Sequence, residues 1–234
     1  LLKTDSLGNR LWTLVIGGAG NDFGYGLSLD NQGNAYLCGQ ASTGFPFTQA
    51  TYAGSGGDAF VAKISPQGAV LWNAAYGGPS NDHAESVGVD GNGNVYLAGV
   101  GSVVGFPTTI GTYAGNLDDF FVLKLDSNGQ RQYAMLYGGA AFDYANDIVV
   151  RPDGTHYIVG ESGSTNLPVT SVLYAGTGST KAFVAKFDAM GNRLFAFRYG
   201  GTNVERAYTA AWDEANNMLM VGGYTDSPDF PTNK

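Results

Sequence analysis

Leu71-Trp-Asn-Ala-Ala-Tyr-Gly-Gly78 ends in a Gly-Gly pair that recurs at regular intervals, at residues 17–18, 138–139 and 200–201. The successive pairs are 60, 61 and 62 residues apart. A sequence repeat of this length is typical of propellers, solenoids and arrays. The repeat therefore says more about architecture than about chemistry.

The second unit shows the strands that each repeat predicts. Residues 85–90 alternate between the two faces of a strand, residues 91–94 form a turn rich in Gly and Asn, and residues 95–99 return as a second strand. Two further strands are predicted over 119–125 and 131–137. Five of the six residues from Phe120 to Leu125 are apolar, which indicates a strand buried on both faces. We refer to the four strands of a unit as A, B, C and D.

Four antiparallel strands in about 60 residues, buried on both faces, predict a blade of an all-β β-propeller. We expect a single propeller domain over residues 1–234. Its predicted parts are a half blade over 1–18, whole blades over 19–78, 79–139 and 140–201, and a second half blade over 202–234.

The two predicted half blades are complementary. The chain begins with C and D strands, residues 1–5 and 10–16, and ends with A and B strands, residues 207–212 and 218–224. Pairing them would complete a fourth blade and remove two exposed sheet edges. The sequence thus favours a four-bladed ring closed by its own ends. The alternative is a four-unit segment of a larger propeller of six to eight blades. Because Leu1 to Lys3 lie within a strand of the repeat, we interpret the chain as a processed or excised piece.

The composition excludes some classes of partner. The net charge is −8 and only 12 residues are Lys or Arg, so nucleic acid is not an expected partner. No run of 18 apolar residues occurs, so membrane insertion is not expected. The single cysteine, Cys38, is predicted to be a small buried hydrophobic residue.

Several motifs resemble a known family. Asp90-Gly-Asn-Gly-Asn-Val-Tyr-Leu-Ala-Gly99, Gly57-Asp-Ala-Phe-Val-Ala-Lys63 and the Gly77-Gly78 segment are similar to the beta-propeller repeat family abbreviated SBBP. The resemblance implies a secreted or cell-surface protein of bacteria or archaea, commonly part of a large adhesin-like or structural chain, and it implies no reaction. The third and fourth units depart from the pattern at residues 151–154 and 213–217.

An acidic residue follows each Gly-Gly pair by four positions. In a closed ring these residues would lie on one face around the channel, and four converging carboxylates could hold a hard cation such as calcium. Alternatively, each carboxylate accepts backbone N–H bonds within its own D-to-A connection. No other cofactor is expected. The four residues are Asp22, Asp82, Asp143 and Glu205.

No catalytic residues are predicted. Nucleophilic catalysis needs a base beside the nucleophile, and the two histidines, His83 and His156, fall at different places in their units. A shared zinc site is not expected for the same reason. Glycosidase chemistry needs only two carboxylates at a suitable separation, so a carbohydrate-active enzyme stays open as an alternative.

The long B-to-C loops, residues 40–58, 100–118 and 161–179, are the predicted interaction surface. An asymmetric ligand site should use the positions that differ between copies, although these positions could equally be surface decoration. They are Phe47, Gln49, Asn116, Asn166 and Lys181.

We therefore expect a non-enzymatic, extracellular or cell-surface propeller with a structural or adhesive role. It would bind protein or glycan as part of a larger chain or assembly. A filament-forming repeat protein, joined through the ends of an unclosed arc, is a further alternative.

Overall fold

The computed structural model describes residues 1–49, 54–111, 115, 117–175 and 180–232, and for residues 172–175 the backbone alone. Within these residues the chain forms seventeen strands and no helix. The prediction of an all-β propeller built from four-stranded antiparallel blades is confirmed.

The strands fall into three blades flanked by two hairpins. The N-terminal hairpin consists of β1 (Leu2–Thr4) and β2 (Arg10–Thr13). The first blade contains β3 (Phe23–Leu29), β4 (Ala35–Ala41), β5 (Asp58–Ile64) and β6 (Val70–Tyr76). The second contains β7 (His83–Val89), β8 (Val95–Gly101), β9 (Asp119–Leu125) and β10 (Arg131–Tyr137).

The third blade and the C-terminal hairpin continue the order. The third blade contains β11 (Asp143–Val150), β12 (His156–Ser162), β13 (Ser171–Ala175), β14 (Lys181–Phe187) and β15 (Arg193–Gly200). The C-terminal hairpin consists of β16 (Glu205–Asp213) and β17 (Met218–Thr225). Neighbouring strands are antiparallel in every sheet except for β13, which pairs parallel with β15.

The strand β13 was not predicted, because residues 161–179 were expected to form a loop. Its presence follows from the free edge of the D strand, β15, whose backbone groups need partners. Thr170 N–H donates to Ala196 O, which places the loop along that edge. The first two blades begin the same contact, since Gln49 N–H donates to Asn73 O and Thr109 N–H donates to Ala134 O.

The Asp-rich turns between A and B strands are hairpin turns closed by their own side chains. Asp90 Oδ1 accepts the N–H groups of Asn92 and Asn94, and Oδ2 accepts Asn94 Nδ2. Gly93 takes a positive φ of 79°, which a residue with a Cβ rarely adopts. In the divergent fourth unit, Asn217 supplies the positive φ.

The hydrophobic core lies between blades and not within one layer. Leu97, Phe121 and Leu123 face the first blade, whereas Tyr96 and Phe120 face the third. Phe120 stacks on Phe183 across that second boundary, with ring centroids 4.9 Å apart. Both faces of each central blade are therefore buried, as the apolar C strands predict.

The predicted pairing of the two half blades is not formed among the described residues. The hairpins β1–β2 and β16–β17 are separate two-stranded sheets. Each packs on the nearest whole blade. Lys3 Nζ and Trp12 Nε1 both donate to Pro66 O in the first blade, and Asp147 of the third blade accepts Ala210 N–H. Within the described residues, the ring is therefore not closed by strand pairing between the two ends.

The inter-blade aromatic contacts should carry much of the stability. Replacing the fully buried Phe120 with alanine should lower the free energy of unfolding by about 3–5 kcal/mol, because it removes a large ring from a packed boundary. Phe142→Ala is the matched control, since Phe142 is 46% exposed. Chemical denaturation of both variants tests this. Equal losses would contradict the assignment of the core to the blade boundary.

Candidate functional site

The corner between consecutive blades is organised by a buried carboxylate. Asp82 Oδ2 accepts Gly78 N–H at 2.7 Å, and Oδ1 accepts Ser102 N–H at 2.7 Å. Its own N–H donates to Gly57 O. One side chain thus joins the Gly-Gly connection, the start of the B-to-C loop and the preceding blade.

The same arrangement recurs at the other corners. Asp22 accepts the N–H groups of Gly18 and Ser42. Asp143 accepts Gly139 N–H and Ser164 Oγ–H. At the last of these corners, Glu205 accepts hydrogen bonds from the hydroxyl groups of Ser227 and Thr225.

The structure does not bring these four acidic residues together. Within the described part of the chain, no group of three or more His, Cys, Asp or Glu side chains is placed to hold a metal ion. Each carboxylate instead accepts hydrogen bonds inside its own corner, which is the alternative that the sequence left open. The hydrogen bonds hold each carboxylate in its own blade junction.

A second charged residue faces three of these four carboxylates, and we number those corners first (Asp82), second (Asp143) and third (Glu205). It is the first residue of the C strand: Asp58 near Asp82, Asp119 near Asp143, and Lys181 near Glu205. Of these, the sequence pointed only to Lys181. The signal that could have found the other two is the equivalence of these three positions in the repeat.

The first two corners therefore hold paired carboxyl groups. Burial raises the pKa of Asp119 to about 7, and the charge of Asp143 and a hydrogen bond with it act in the same direction. Burial likewise raises the pKa of Asp58 to about 6, with a further contribution from the charge of Asp82. In the absence of another cation, each pair holds a proton more tightly than an ordinary aspartate does.

The third corner holds an ion pair. Lys181 Nζ lies 2.9 Å from Glu205 Oε2, and both side chains are buried. The ammonium group also donates to Asn203 O at 2.6 Å and to Thr180 O at 3.2 Å. Burial alone would raise the pKa of Glu205, but hydrogen bonds from Ser227 and Lys181 outweigh it and lower that pKa.

These corners explain the Gly-Gly signature. A Cβ on Gly77 would overlap the carboxylates of Asp58 and Asp82, and one on Gly138 would overlap that of Asp119. At the third corner a Cβ on Gly200 would overlap Glu205. Glycine is required because the backbone passes directly against the paired side chains.

The loop candidates in the first blade take part in packing. The Phe47 ring stacks on Phe45 with centroids 4.7 Å apart. Gln49 Nε2 donates to Asn128 O, and Gln49 Oε1 accepts Gln130 Nε2. Both residues thus stabilise the fold, and Gln49 ties its loop to the next blade.

The remaining loop candidates behave similarly. Asn166 Oδ1 accepts Ala140 N–H at 2.8 Å, and Lys181 forms the buried ion pair with Glu205. Asn116 lies outside the described residues. The structure therefore joins one loop candidate, Lys181, to one member of the predicted acidic ring, Glu205, although the sequence treated them separately.

The two histidines occupy unrelated positions. His83 Nε2 lies 3.2 Å from Glu85 Oε1 at a partly exposed site. His156 is fully buried between the rings of Tyr96 and Phe187, and burial lowers its pKa to about 4. Its imidazole therefore stays neutral at physiological pH and acts as a packing residue.

One family model matches part of the chain. Residues 11–46 match the model described as a beta-propeller repeat, SBBP. The match confirms the beta-propeller repeat over these residues. A similar solved structure is that of a protein of unknown function from Bacteroides caccae, with a TM-score of 0.40 and 12% sequence identity over 83% of this chain and 73% of that one. No curated protein matches the chain.

The described residues contain no helix long and apolar enough to span a membrane.

Substituting the glycine beside a carboxylate pair should destabilise the fold. Gly138→Ala should lower the free energy of unfolding by about 1–3 kcal/mol, because the added methyl group overlaps Asp119. The matched control is Gly111→Ala, where a Cβ meets no atom within 4 Å. Urea denaturation of both variants measures the difference, and a stable Gly138→Ala variant would contradict the close approach.

Stability should also depend on pH through Asp119. Its folded pKa is above its unfolded value, so the folded state binds more protons and stability is lost as pH rises toward and through 7. In a chelating buffer, Asp119→Asn should therefore melt several degrees above the parent at pH 8 and close to it at pH 5, since 1 kcal/mol corresponds to about 2–4 °C.

Calorimetric melting of the parent and of Asp119→Asn between pH 5 and 8 measures this effect. The parallel variant Asp58→Asn should show the same trend at lower pH, because the pKa of Asp58 is raised only to about 6. An unchanged pH slope in Asp119→Asn would show that the Asp119–Asp143 pair does not hold the proton.

Proposed function

We propose that the chain is a non-enzymatic structural module of an extracellular or cell-surface assembly. In this proposal it joins the assembly through protein contacts at its two end faces, where a second copy of the chain completes the blade that the two hairpins leave open. The observation that carries the proposal is that both ends expose apolar positions that the internal blades bury.

At the C-terminal end, the exposed face is that of β16 and β17. Met220 pairs with Ala211 in the register in which Tyr96 pairs with Gly88 of the second blade. Tyr96 is fully buried, whereas Met220 is 61% exposed. Met218 and Tyr208 are also about half exposed on this hairpin.

At the N-terminal end, the exposed face is that of β3. Leu27 pairs with Leu37 as Val87 pairs with Leu97 in the second blade. Val87 is 5% exposed and Leu27 is 55% exposed. An apolar surface of this kind is typical of an interaction site.

The contacts between blades inside the chain favour a second copy of the chain as the partner of the two end faces. The A strand of each following blade packs on the preceding blade, so β7 contacts β3 and β4, β11 contacts β7 and β8, and β16 contacts β11 and β12. The outer face of β16–β17 and the outer face of β3 are the two sides of this same contact. A second copy placed head to tail would therefore repeat an interface that the chain already forms three times.

The free strand edges match as well. In each whole blade the B strand pairs antiparallel with the C strand, as β8 does with β9. Among the described residues, the B strand β17 has no C strand beside it and the C strand β1 has no B strand beside it. Adding a strand to an exposed sheet edge supplies backbone hydrogen bonds and affinity.

Two grooves lie where the joined hairpins would fit. One, with a volume of about 520 Å³, lies beside β17 against the third blade and is lined by Val184, Phe197 and Leu219, among others. The other, with a volume of about 380 Å³, lies beside the N-terminal hairpin against the first blade, next to Leu1 and Phe23.

The other parts of the proposal have separate support. The extracellular location rests on the resemblance to the repeat family. The absence of enzymatic activity rests on the sequence, which offers no nucleophile beside a base. Glycan binding through the loops is less favoured than protein contact, because Phe47, Gln49, Asn166 and Lys181 are engaged within the fold.

Head-to-tail association predicts how single-face variants behave. Leu27→Lys should disable the N-terminal face and Met220→Lys the C-terminal face, so each variant alone should be monomeric while the parent chain associates with rising concentration. Mixing the two variants should restore one joint and give a dimer that grows no further, because the contact is heterologous. Analytical ultracentrifugation distinguishes these species.

The control is Leu71→Gln, which changes a leucine that is 52% exposed on β6 to the residue found at the equivalent position of β10, Gln132. It should associate like the parent. A monomeric parent chain, or a mixture that does not dimerise, would falsify the joint. Turnover of a glycan by the chain would instead overturn the non-enzymatic part.

A further inference from the structure

The Asp119–Asp143 corner has two carboxylate oxygens that lack a donor. Both residues are fully buried, and Oδ1 of each has no donor within the described residues. The two carboxyl groups can hydrogen-bond each other only when one of them carries a proton. The remaining oxygens are satisfied, since Asp119 Oδ2 accepts Gly115 N–H and Asp143 Oδ2 accepts Gly139 N–H and Ser164 Oγ–H. A buried anion without a compensating partner is costly, so these two oxygens point to a missing positive charge.

The third corner shows where that charge belongs. Lys181 starts its C strand as Asp119 does, and Glu205 starts its A strand beside it as Asp143 does. There the chain itself supplies the cation: Lys181 Nζ contacts one carboxylate oxygen of Glu205 and two backbone carbonyl oxygens, those of Thr180 and Asn203.

The corresponding carbonyl groups are present at the second corner. Asp118 O accepts Asp143 N–H as Thr180 O accepts Glu205 N–H. Ala141 O, two residues before Asp143, corresponds to Asn203 O and lies 3.1 Å from Ser164 Oγ, whose proton goes to the nearer Asp143 Oδ2. The aspartate that replaces lysine has a side chain shorter by three methylene groups and brings no positive charge to these carbonyl groups.

We propose that the Asp119–Asp143 corner binds a hard cation of the calcium class, which takes the place that the Lys181 ammonium group occupies at the third corner. The oxygens available to it are Asp119 Oδ1, Asp143 Oδ1 and the carbonyl oxygens of Asp118 and Ala141. Such oxygen ligands are those that calcium prefers, with water completing its coordination. The site is separate from the central acidic ring considered from the sequence, because it joins two residues of one corner.

The other charged group that acts on the corner is the buried Arg198 of β15. Its charge interacts with that of Asp143, but the two side chains form no ion pair among the described residues. A cation at the corner would therefore bind with one guanidinium charge nearby. The Asp58–Asp82 pair has the same position in the first corner.

A shared proton is the competing occupant. It would neutralise one carboxyl group and bridge the two oxygens without any metal. The two occupants differ in their response to pH and to ions: a proton is lost as pH rises, whereas calcium binds better once the pair is deprotonated. Measurements at pH 8 therefore favour calcium binding over proton binding at this corner.

The test uses calcium chloride as the probe on the whole chain at pH 8, after chelator treatment and at fixed ionic strength. Calcium should raise the melting temperature of the parent by several degrees in a saturable manner, because a ligand that binds the folded state stabilises it. Isothermal titration should show binding with a stoichiometry of at least one ion per chain.

Two variants assign the site. Asp119→Lys combined with Asp143→Glu copies the third corner, so it should lose one equivalent of bound calcium and melt higher than the parent in chelator. Asp119→Asn, which keeps the shape of the side chain, should also lose one equivalent. The converse double variant, Lys181→Asp with Glu205→Asp, should bind one more equivalent of calcium than the parent. It provides the test if the double variant at Asp119 and Asp143 fails to fold.

Either of two results would overturn the proposal. One is a melting temperature that depends on pH but not on calcium, which assigns the corner to a shared proton. The other is calcium binding with the same stoichiometry in the parent and in Asp119→Asn, which places the ion elsewhere.

Discussion

The packing of one blade on the next depends on one repeated interaction. At each blade corner, a buried carboxylate joins three segments of the chain. Asp82 shows its full form: it binds the Gly-Gly connection through Gly78 N–H and the B-to-C loop through Ser102 N–H, while its backbone N–H reaches Gly57 O of the preceding blade. Charge-assisted hydrogen bonds to a buried carboxylate are among the stronger ones in proteins. The corner sets where one blade ends and the next begins, and the aromatic boundaries then pack around that spacing. This explains why glycine is needed beside the carboxylate and why the acidic residue follows it by four positions.

Much of the fold could be predicted from the sequence because the signals are local and repeated. The strands β9 and β10 have the predicted bounds, since alternation, turn glycines and an apolar C strand all lie within one unit. The roles of Asp22, Asp82 and Asp143 were predicted only as one of two alternatives. Sequence spacing places them on equivalent corners, but it does not say whether equivalent corners converge. Their hydrogen bonds decide this, because each side chain is turned toward donors of its own corner.

The missed features are those that depend on contacts between units. Strand β13 forms because the D strand of the third blade has a free edge. The sequence of residues 171–175 does not show that this edge lies beside them. The carboxyl pairs were missed because Asp58 and Asp82 are 24 residues apart and meet only across a blade boundary. The closure of the ring was expected from complementary ends. The complementary ends show which strands could pair with one another. Each hairpin packs on its own neighbouring blade, however, and the sequence does not show whether that packing brings the two hairpins together.

Divergence between the repeats identifies which parts of a corner can change together. Where the C strand begins with aspartate, the opposing residue is also aspartate; where it begins with Lys181, the opposing residue is the longer Glu205. The change from a carboxyl pair to an ion pair leaves the Gly-Gly connection intact, as the close approach of Gly200 to Glu205 shows. The corner therefore requires an anion on the A strand and a neutralising partner opposite it, whereas the identity of that partner is free to vary. A chain that satisfies this requirement with its own ammonium group at one corner satisfies it differently at the other two, because an aspartate in place of the lysine brings a second carboxyl group, whose charge a bound proton or a bound cation must offset.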